Sequence, residues 1–419
     1  MARWYIIAGE ASGDLHGSNL MKGLYAADPH AVIRFWGGDM MDAVFQSRSI
    51  ASEAPSGSLR FAPYPGKCPP VGTSEAIKEE LKSGLVKDYR EGAVIGFSQV
   101  LLHPRKFARR LEDCKKDIIA WKPDAVVLID YPGFNFRVAE FAHKAGFKVF
   151  YYIAPKVWAS REGRIKKLKA YVDKLFIVFP FEIPYFESKG VDFVYKGNPL
   201  VDAVDNSDAV LRSREDFLSE ASLPDKPYIA LLPGSRTGEI SSMMPVYMEF
   251  ADKLRAIPEY SDYQFVIAGA PSRSMEDYSS HIAGREYVKV LFGKAYPIMR
   301  HARAAVVNSG TASLECALLG TPQVVAYSGA MFNYIIARMI IKVRFISLGN
   351  LILDRMCFRE LLQGYFTADN VLHEIRRLIE DHDYRETMLS GYEQIRKSLG
   401  GGGASEAVAK AMVDELGND

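Results

Sequence analysis

The chain has 419 residues, of which 48% are hydrophobic and 25% are charged, proportions that are typical of globular proteins. This length favours two domains over a single core. Lysine and arginine number 52 against 51 acidic residues, a balance that argues against a dedicated nucleic-acid-binding protein, for which a basic excess is expected.

The four cysteines are scattered and none lies in a CxxC pair, so we expect neither a zinc site nor a disulfide framework. The N-terminal segment MARWYIIAGEASGD has too short an apolar run for a signal peptide. No run of about 18 apolar residues predicts a membrane-spanning helix. We therefore expect a cytoplasmic protein that at most attaches to a membrane surface.

Apolar strands alternate with helices along the first half of the chain. The segments WYIIAG, VIRFWGG, AVVLID, KVFYYIAP and KLFIVFP are predicted strands, and helices are predicted at about residues 15–27 and 136–146. Residues 46–74 are rich in serine, proline and glycine, which predicts a long loop. Strands that are apolar throughout are typical of a parallel sheet covered by helices on both faces.

The same alternation restarts after residue 198, with predicted strands in YIALLPG, YQFVIAGAP, VKVLFG, AAVVNSG and TPQVVAYSG. We predict an α/β fold with two Rossmann-like domains, residues 1–198 and 199–400, whose parallel sheets face a cleft. Glycines at 400–403 form a hinge that would let the last helix, in residues 401–419, cross back to the first domain. The hinge also suggests exchange between subunits of a homo-oligomer.

The motif LLPGSRTGE follows a predicted strand of the second half. Ligands of open parallel sheets bind outside the carboxyl ends of the strands. Gly234 would let the backbone approach a ligand closely, Ser235 can donate a hydrogen bond, and Arg236 offers a fork of donors to a phosphate. The alternative is a tight turn with an arginine that faces solvent.

A second motif in this half, VVNSGTASLE, also joins a strand to a helix. Small residues and hydroxyls at Ser309, Gly310 and Thr311 suit a diphosphate at a helix start. Glu315 lies one turn further along the helix and could accept both hydroxyls of a ribose. A serine or threonine cap followed by a helix-favouring glutamate is the structural alternative.

The first half instead carries acids at its strand ends. In GEASGD, Glu10 and Asp14 flank a glycine-lined turn whose spacing is not GxGxxG, so a dinucleotide cofactor is poorly supported. In DYPGFN, Asp130 follows a predicted strand and is a candidate general base. Acids that cap the first helix, or a turn closed by Asp130 and Asn135, are the structural alternatives.

Signals for a metal or a further nucleophile are weak. The sequence contains no HxxxH or HExxH pair, no GxSxG elbow and no Walker A motif. The Asp-x-Asp pattern at residues 381–383 lies in a predicted polar helix, which indicates a solvated face. We predict no metal and no cofactor.

Two segments combine basic and large apolar side chains, residues 94–110 and 332–346. This combination suits a surface of anionic lipid. Core helices whose basic side chains reach out to solvent would show the same pattern.

Acids in one half and anion-binding loops in the other are what a nucleotide-sugar glycosyltransferase needs: one domain receives the acceptor and the other holds the nucleoside diphosphate.

The motifs, in this order, resemble those of the lipid-A-disaccharide synthase family and cover nearly the whole chain. They are GEASGD at 9–14, KPD at 122–124, IDYPGFN at 129–135, LLPGSR at 231–236, SGTASLE at 309–315, SLGNLILDR at 347–355 and RELLQ at 359–363. The resemblance implies the two-domain GT-B glycosyltransferase fold. By the same resemblance Arg236, Glu315 and Asn350 match nucleotide-binding positions, and Gln363 is a further candidate.

The family resemblance also implies a reaction. An inverting transfer would join UDP-2,3-diacylglucosamine to 2,3-diacylglucosamine 1-phosphate (lipid X), giving the β-1,6-linked disaccharide 1-phosphate and UDP. The protein would work at the cytoplasmic face of the inner membrane of a Gram-negative bacterium. The acyl chains would give residues 94–110 a role in contacting lipid.

The sequence departs from the family pattern D-x-P-D-F-N, in which the second aspartate is a proposed catalytic base, because Gly133 stands at that position. The candidates for the base are therefore Asp130, then Glu10, then Asp14.

Alternative functions are a UDP-sugar epimerase or MurG-type transferase on the same scaffold, a peripheral membrane protein that binds nucleotide without turnover, and a nicotinamide dehydrogenase.

Overall fold

The computed structural model describes residues 1–53, 84–91, 104–159, 162–328 and 344–417. The chain divides into two compact units, Met1–Ala203 together with Gly402–Asp419, and Val204–Gly401. The domain limits predicted from the sequence, after residues 198 and 400, lie within a few residues of this division.

The first unit contains one sheet of seven strands. The strands are β1 (Arg3–Ala8), β2 (Val32–Gly37), β3 (Gly84–Asp88), β4 (Ala125–Ile129), β5 (Lys148–Tyr152), β6 (Lys174–Ile177) and β7 (Phe193–Tyr195). The helices between and after them are α1 (Ala11–Ala27), α2 (Asp39–Glu53), α3 (Pro104–Trp121), α4 (Pro132–Lys144), α5 (Ile165–Tyr171), α6 (Glu182–Ser188) and α7 (Pro199–Asp205).

The second unit contains a sheet of six strands. The strands are β8 (Tyr228–Leu232), β9 (Gln264–Gly269), β10 (Val288–Phe292), β11 (Ala304–Asn308), β12 (Gln323–Tyr327) and β13 (Glu360–Leu362). The helices are α8 (Asp208–Leu211), α9 (Arg214–Glu220), α10 (Thr237–Arg255), α11 (Glu276–Ile282), α12 (Ala295–Arg300), α13 (Thr311–Leu318), α14 (Leu348–Leu353), α15 (Ala368–Glu380) and α16 (His382–Leu399).

The two sheets share one topology. The first has the order β3-β2-β1-β4-β5-β6-β7 and the second β10-β9-β8-β11-β12-β13, with parallel pairing between neighbours. In both, the first and fourth strands of the unit lie side by side, as in the Rossmann fold. Strands such as β4 and β8 are buried along their whole length because helices cover both faces of the sheet. The predicted α/β class with two Rossmann-like domains is confirmed.

Three predicted boundaries in the first unit were wrong. Helix α1 starts at Ala11 rather than at residue 15, and α4 spans Pro132–Lys144 rather than 136–146. Proline is favoured in the first turn of a helix, and this signal at Pro132 marks the true start of α4. Residues 46–53 of the predicted loop are helical, and the rest of that loop lies outside the described residues. Most of the two segments predicted to contact lipid, namely residues 94–103 and 332–343, also lies outside them.

Helix α3 is fixed to the sheet by a polar cluster around Asp117. Its carboxylate accepts hydrogen bonds from the Arg34 guanidinium at 2.9 and 2.7 Å and from the Tyr5 hydroxyl at 2.6 Å. The Trp36 indole N–H donates to the same Tyr5 hydroxyl at 2.8 Å. Residues from two strands thus hold one helix in register, because a half-buried carboxylate needs donors around it.

The last helix, α17 (Ala404–Gly417), belongs to the first unit and packs on α1, where Ala409 lies against Gly23. Buried Asp202 of α7 accepts hydrogen bonds from the backbone N–H groups of Gly403 and Ser405 at 2.6 and 2.7 Å. The first N–H groups of a helix have no partner within the helix. Asp202 therefore fixes the start of α17 on the first unit.

Replacement of Asp202 by alanine should release α17. Two charge-assisted hydrogen bonds are lost, and about 2 kcal/mol of local stability should go with them. Hydrogen exchange of α17 amides should become roughly 10-fold to 100-fold faster. Asp205→Ala, three residues further along α7, removes only an exposed ion pair with Arg396 and is the matched control. Equal exchange in both variants would contradict the anchoring role of Asp202.

Candidate active site

The carboxyl ends of two neighbouring strands meet at one point in each unit. Ala8 of β1 pairs with Ile129 of β4, and Leu232 of β8 pairs with Val307 of β11. Helices that follow such a pair diverge and leave an opening at the carboxyl edge, where ligands bind in α/β sheets. The motifs GEASGD and IDYPGFN share this edge in the first unit, and LLPGSR and SGTASLE share it in the second.

The turn after β8 requires glycine at residue 234. Gly234 has a φ of +104°, which side chains rarely adopt, and a Cβ atom there would collide with Glu239 and with the Asn308 amide nitrogen. The backbone therefore passes directly over Asn308, the last residue of β11. This contact brings the two predicted anion-binding loops together.

A carboxylate of the protein already occupies the donors of this turn. The backbone N–H groups of Ser235 and Arg236 donate to Glu239 Oε2 at 3.1 and 3.2 Å, and the Arg236 guanidinium lies 3.3 Å from Glu239 Oε1. The Arg236 side chain is 65% exposed, and such surface ion pairs are weak. A diphosphate, which carries more charge and more acceptor oxygens than one carboxylate, can therefore compete for Arg236.

Arg273, in the loop after β9, is a further cation at this turn. Its Nε donates to the Ser235 carbonyl at 2.9 Å and its guanidinium also donates to the Thr237 hydroxyl at 2.8 Å. Sequence reasoning missed this arginine. The signal that could have found it is its position in YQFVIAGAPSR, just beyond the end of an apolar strand.

The turn after β11 is open on its outer side. Ser309 donates to the Ile346 carbonyl at 3.4 Å, and a Cβ atom at Gly310 would meet nothing within 4 Å. Helix α13 starts at Thr311, so its first N–H groups face this opening.

Asn308, just before the turn, is 95% buried, and its side-chain oxygen finds no hydrogen-bond partner among the described residues. A ligand donor or a bound water would satisfy this oxygen, and sequence reasoning did not single it out.

Glu315 is held by Tyr296 of α12, whose hydroxyl donates to Glu315 Oε1 at 3.1 Å. Burial raises the pKa of the Glu315 carboxyl to about 7, and the Tyr296 hydrogen bond only partly offsets this. The carboxyl is thus poised to become charged when ligand hydroxyls donate to it. This behaviour fits the predicted contact with a ribose.

Asn350, which is predicted to contact the nucleotide, is hydrogen-bonded within the protein. Asn350 is fully buried: its amide nitrogen donates to the Phe358 carbonyl and to Glu360 Oε1, both at 2.9 Å, and its oxygen accepts from the Cys357 N–H at 2.8 Å. Both amide protons are used within the protein. Asn350 therefore orients Glu360 and the segment around it, and its contact with the nucleotide stays a prediction.

Gln363 follows β13 at the carboxyl edge of the same sheet. Its φ of +51° is unusual for a residue other than glycine, and its buried side-chain nitrogen has no hydrogen-bond partner among the described residues. A strained residue with an unpaired donor is typical of a ligand-binding position. Gln363 thus stays a predicted nucleotide contact.

In the first unit, the turn after β4 is strained and rigid. Asp130 and Tyr131 both have positive φ angles, +44° and +45°. The Asn135 amide nitrogen donates to the Ile129 and Asp130 carbonyls at 3.1 and 2.8 Å, and the Tyr151 hydroxyl donates to the Asp130 carbonyl at 2.7 Å. These bonds fix the backbone of Asp130 and leave its half-buried carboxylate at the carboxyl edge.

Glu10 and Asp14 have different environments. Glu10 is exposed at the start of α1, next to Gly9, over which the Tyr131 ring lies. Asp14 is buried, and its carboxylate accepts from the backbone N–H groups of Gly38 at 2.7 Å and of residues 40 and 41 at 3.1 Å. Burial raises the pKa of Asp14, and these hydrogen bonds oppose the rise. Asp14 thus caps α2, and the choice of the base among Asp130, Glu10 and Asp14 stays a prediction.

No three His, Cys, Asp or Glu side chains of the described residues are grouped so as to hold a metal ion. The helices in that same part of the chain are each too short or too polar to cross a membrane.

The amino-acid sequence matches the family model described as lipid-A-disaccharide synthetase over residues 71–411. A lipid-A-disaccharide synthase of Geobacter metallireducens is 36% identical over 418 residues, which cover 99% of this chain and 97% of that protein. The chain belongs to the lipid-A-disaccharide synthase family. It is an enzyme, a glycosyltransferase that forms the disaccharide of lipid A, and the resemblance seen in the motifs is confirmed.

Solved structures share the fold of this lipid-A-disaccharide synthase family member at low identity. A UDP-GlcNAc 2-epimerase from Neisseria meningitidis, bound to UDP-GlcNAc, aligns with a TM-score of 0.65 at 12% identity and covers 98% of this chain and 100% of its own. The calicheamicin glycosyltransferase aligns with a TM-score of 0.55 at 12% identity, covering 99% of this chain and 98% of its own. The two-domain GT-B architecture is thus shared with a glycosyltransferase.

In this synthase, Arg236→Ala should raise the dissociation constant of UDP roughly 10-fold to 100-fold, because one charge-assisted contact to the diphosphate is lost. Isothermal titration of the full chain measures this. Arg376→Ala removes an exposed arginine of α15 in the same unit and should leave the affinity unchanged. An unchanged affinity in Arg236→Ala would remove Arg236 from the site.

The affinity for UDP should also depend on pH through Glu315. Ribose hydroxyls that donate to this carboxylate favour its charged form, so binding lowers the pKa from about 7 and releases a proton. UDP should therefore bind more tightly as the pH rises from about 6 to about 8. Glu315→Gln should lose this part of the pH dependence, while the titration of UDP itself affects both proteins equally. Identical pH profiles would show that Glu315 does not bind the ribose.

Proposed function

We propose that the enzyme transfers 2,3-diacylglucosamine from UDP-2,3-diacylglucosamine to lipid X, with inversion at the anomeric carbon. The observation that carries this proposal is the opposite chemistry of the two strand-end sites. The first unit presents the carboxylates of Asp130 and Glu10, and the second presents Arg236, the open start of α13 and Glu315. One site suits an acceptor hydroxyl, and the other suits a nucleoside diphosphate.

The reaction is a single displacement. The 6-hydroxyl oxygen of lipid X attacks the anomeric carbon of the donor from the face opposite the diphosphate, and the β-linked C–O bond forms. The bond between the anomeric carbon and the diphosphate oxygen breaks, and its electron pair leaves with UDP. Asp130, as general base, takes the hydroxyl proton, with Glu10 as the second candidate.

The second unit stabilises the leaving group. Negative charge grows on the diphosphate as the bond breaks, and Arg236 together with the N-terminus of α13 is placed to meet it. Ser235, Gly234 and the turn at Ser309 and Gly310 let the backbone come close to the phosphates. Thr311 adds a hydroxyl donor at the helix start, and Gln363 an amide donor.

The acylated substrates require access to lipid, and we infer that the enzyme associates peripherally with the cytoplasmic face of the inner membrane. Exposed basic residues at the start of α3, namely Arg105, Lys106 and Arg109, support this, because cations near an anionic membrane surface are each worth about 1 kcal/mol.

The test is UDP release from UDP-2,3-diacylglucosamine in detergent, with and without lipid X. Release that requires lipid X, together with a disaccharide whose anomeric proton coupling is that of a β-linkage, is the expected result. Release without lipid X, or an α-linked product, would contradict the proposal.

Asp130→Asn should lower kcat by roughly 10²-fold to 10⁴-fold, because the attacking hydroxyl loses its general base. The dissociation constant of UDP should stay unchanged, which separates loss of the base from loss of the fold. Glu187→Gln, an exposed acid on α6, is the control. Full activity in Asp130→Asn would transfer the role to Glu10, which Glu10→Gln would then test.

A further inference from the structure

A basic groove lies beside the turn that carries Asp130. It has a volume of about 360 Å³ and runs between α4 and α5. The side chains and backbone that line it come from Pro132, Gly133, Phe136, Arg137, Glu140, Arg164 and Lys167. None of the charged residues of this groove figured in the sequence predictions.

The groove carries an excess of positive charge. Three of its lining residues are cations, Arg137, Arg164 and Lys167, and Glu140 is its single carboxylate. Glu140 lies 2.8 Å from Lys144, outside the groove, and 3.8 Å from Lys167. The Glu140 carboxylate thus pairs mainly with Lys144, which does not line the groove. The three cations that line the groove therefore leave it with a net positive charge.

Two of the cations are held in place by aromatic rings. The Arg137 guanidinium lies 5.0 Å from the centre of the Phe107 ring and also donates to the Gly133 carbonyl. The Arg164 guanidinium lies 5.5 Å from the centre of the Phe136 ring. Contacts of this kind orient a guanidinium, which carries five N–H donors. Such planar donor forks suit phosphate oxygens.

The N-terminal turn of α4 forms one end of the groove. This helix has 13 residues, and its dipole adds partial positive charge at Pro132 and Gly133. A Cβ atom at Gly133 would meet nothing within 4 Å, so the space above this residue is open. The anion-favouring end of the helix and the three cations therefore face the same space.

The groove adjoins the proposed site of catalysis. Gly133 is three residues beyond Asp130, a span of at most about 11 Å along an extended chain. Helix α4 begins directly after the carboxyl end of β4, so Pro132 and Gly133 place one end of the groove near the edge of the sheet where ligands bind. A hexose whose hydroxyl lies at Asp130 can place a substituent from its opposite side in the groove.

We propose that this groove binds the phosphomonoester of the acceptor sugar and so orients its hydroxyl towards Asp130. The proposal rests on the proposed function, because that function supplies an acceptor with a phosphate on its anomeric carbon. A groove with a volume of about 360 Å³ accommodates the headgroup of a single sugar phosphate.

The direct test measures binding of glucosamine 1-phosphate, the head of that acceptor without acyl chains, to the full chain by ligand-observed NMR. The double variant Arg137→Gln/Lys167→Gln should bind it roughly 10-fold to 100-fold more weakly, since two charge-assisted contacts are weakened. Lys166→Gln, whose exposed side chain does not line the groove, should bind normally. Equal binding in all three proteins, or no binding to the unaltered chain, would overturn the proposal.

Kinetics identify the source of the phosphate. In the double variant the KM for lipid X should rise at least 10-fold and the KM for the donor should not. An acceptor that lacks the phosphate should react equally poorly with both proteins. If the variant instead loses binding to vesicles that contain phosphatidic acid and keeps its KM for lipid X, the groove serves membrane lipid and the proposal is wrong. Failure of UDP release in the unaltered enzyme would overturn the proposed function alone, because glucosamine 1-phosphate binding needs no turnover.

Discussion

Both sites depend on the point in each sheet where the strand order reverses. This point lies between β1 and β4 in the first unit and between β8 and β11 in the second. Parallel strands end at one edge, and helices that leave two neighbouring strands towards opposite faces cannot cover the edge between them. The backbone there has N–H groups that need partners, and polar residues can stand next to a fully apolar core. The four central motifs occupy these two openings, two in each unit.

The two openings differ in charge, although the sheets share one topology. In the second unit, Gly234 lets a turn press against Asn308, and the side chains of Arg236 and Arg273 gather around it. The first unit places Asp130 at the tip of a strained turn that Asn135 and Tyr151 hold. One scaffold thus carries cationic side chains at the strand ends of one unit and carboxylates at those of the other, through the few residues that follow each strand.

Much of this could be predicted from the sequence because strand ends are local features. An apolar run followed by LLPGSR or IDYPGFN predicts both the strand and the turn at its carboxyl end, which the structure contains. Interactions between distant segments could not be predicted in this way. Asp14 caps a helix that begins 25 residues later in the chain, and the Asn350 amide is used up by Glu360 and its neighbours. Neither partner can be read from the motif that contains the residue.

Arg273 and the basic groove were missed for the same reason. Arg137 and Lys167 lie 30 residues apart on separate helices, and each alone looks like an ordinary surface cation. Packing of α4 against α5 is what brings them together. Asn308 stood inside a recognised motif, yet only the structure shows that its buried oxygen lacks a partner among the described residues.

We propose that the two units divide the substrates, with the nucleotide in the second unit and the acceptor in the first. Hydrogen exchange of the full chain, measured with UDP alone and with lipid X alone, tests it most directly. UDP should protect amides in residues 232–240 and 308–316, and lipid X should protect those in 129–137 and 162–168. Protection of the first unit by UDP, or of the second unit by lipid X, would contradict the account.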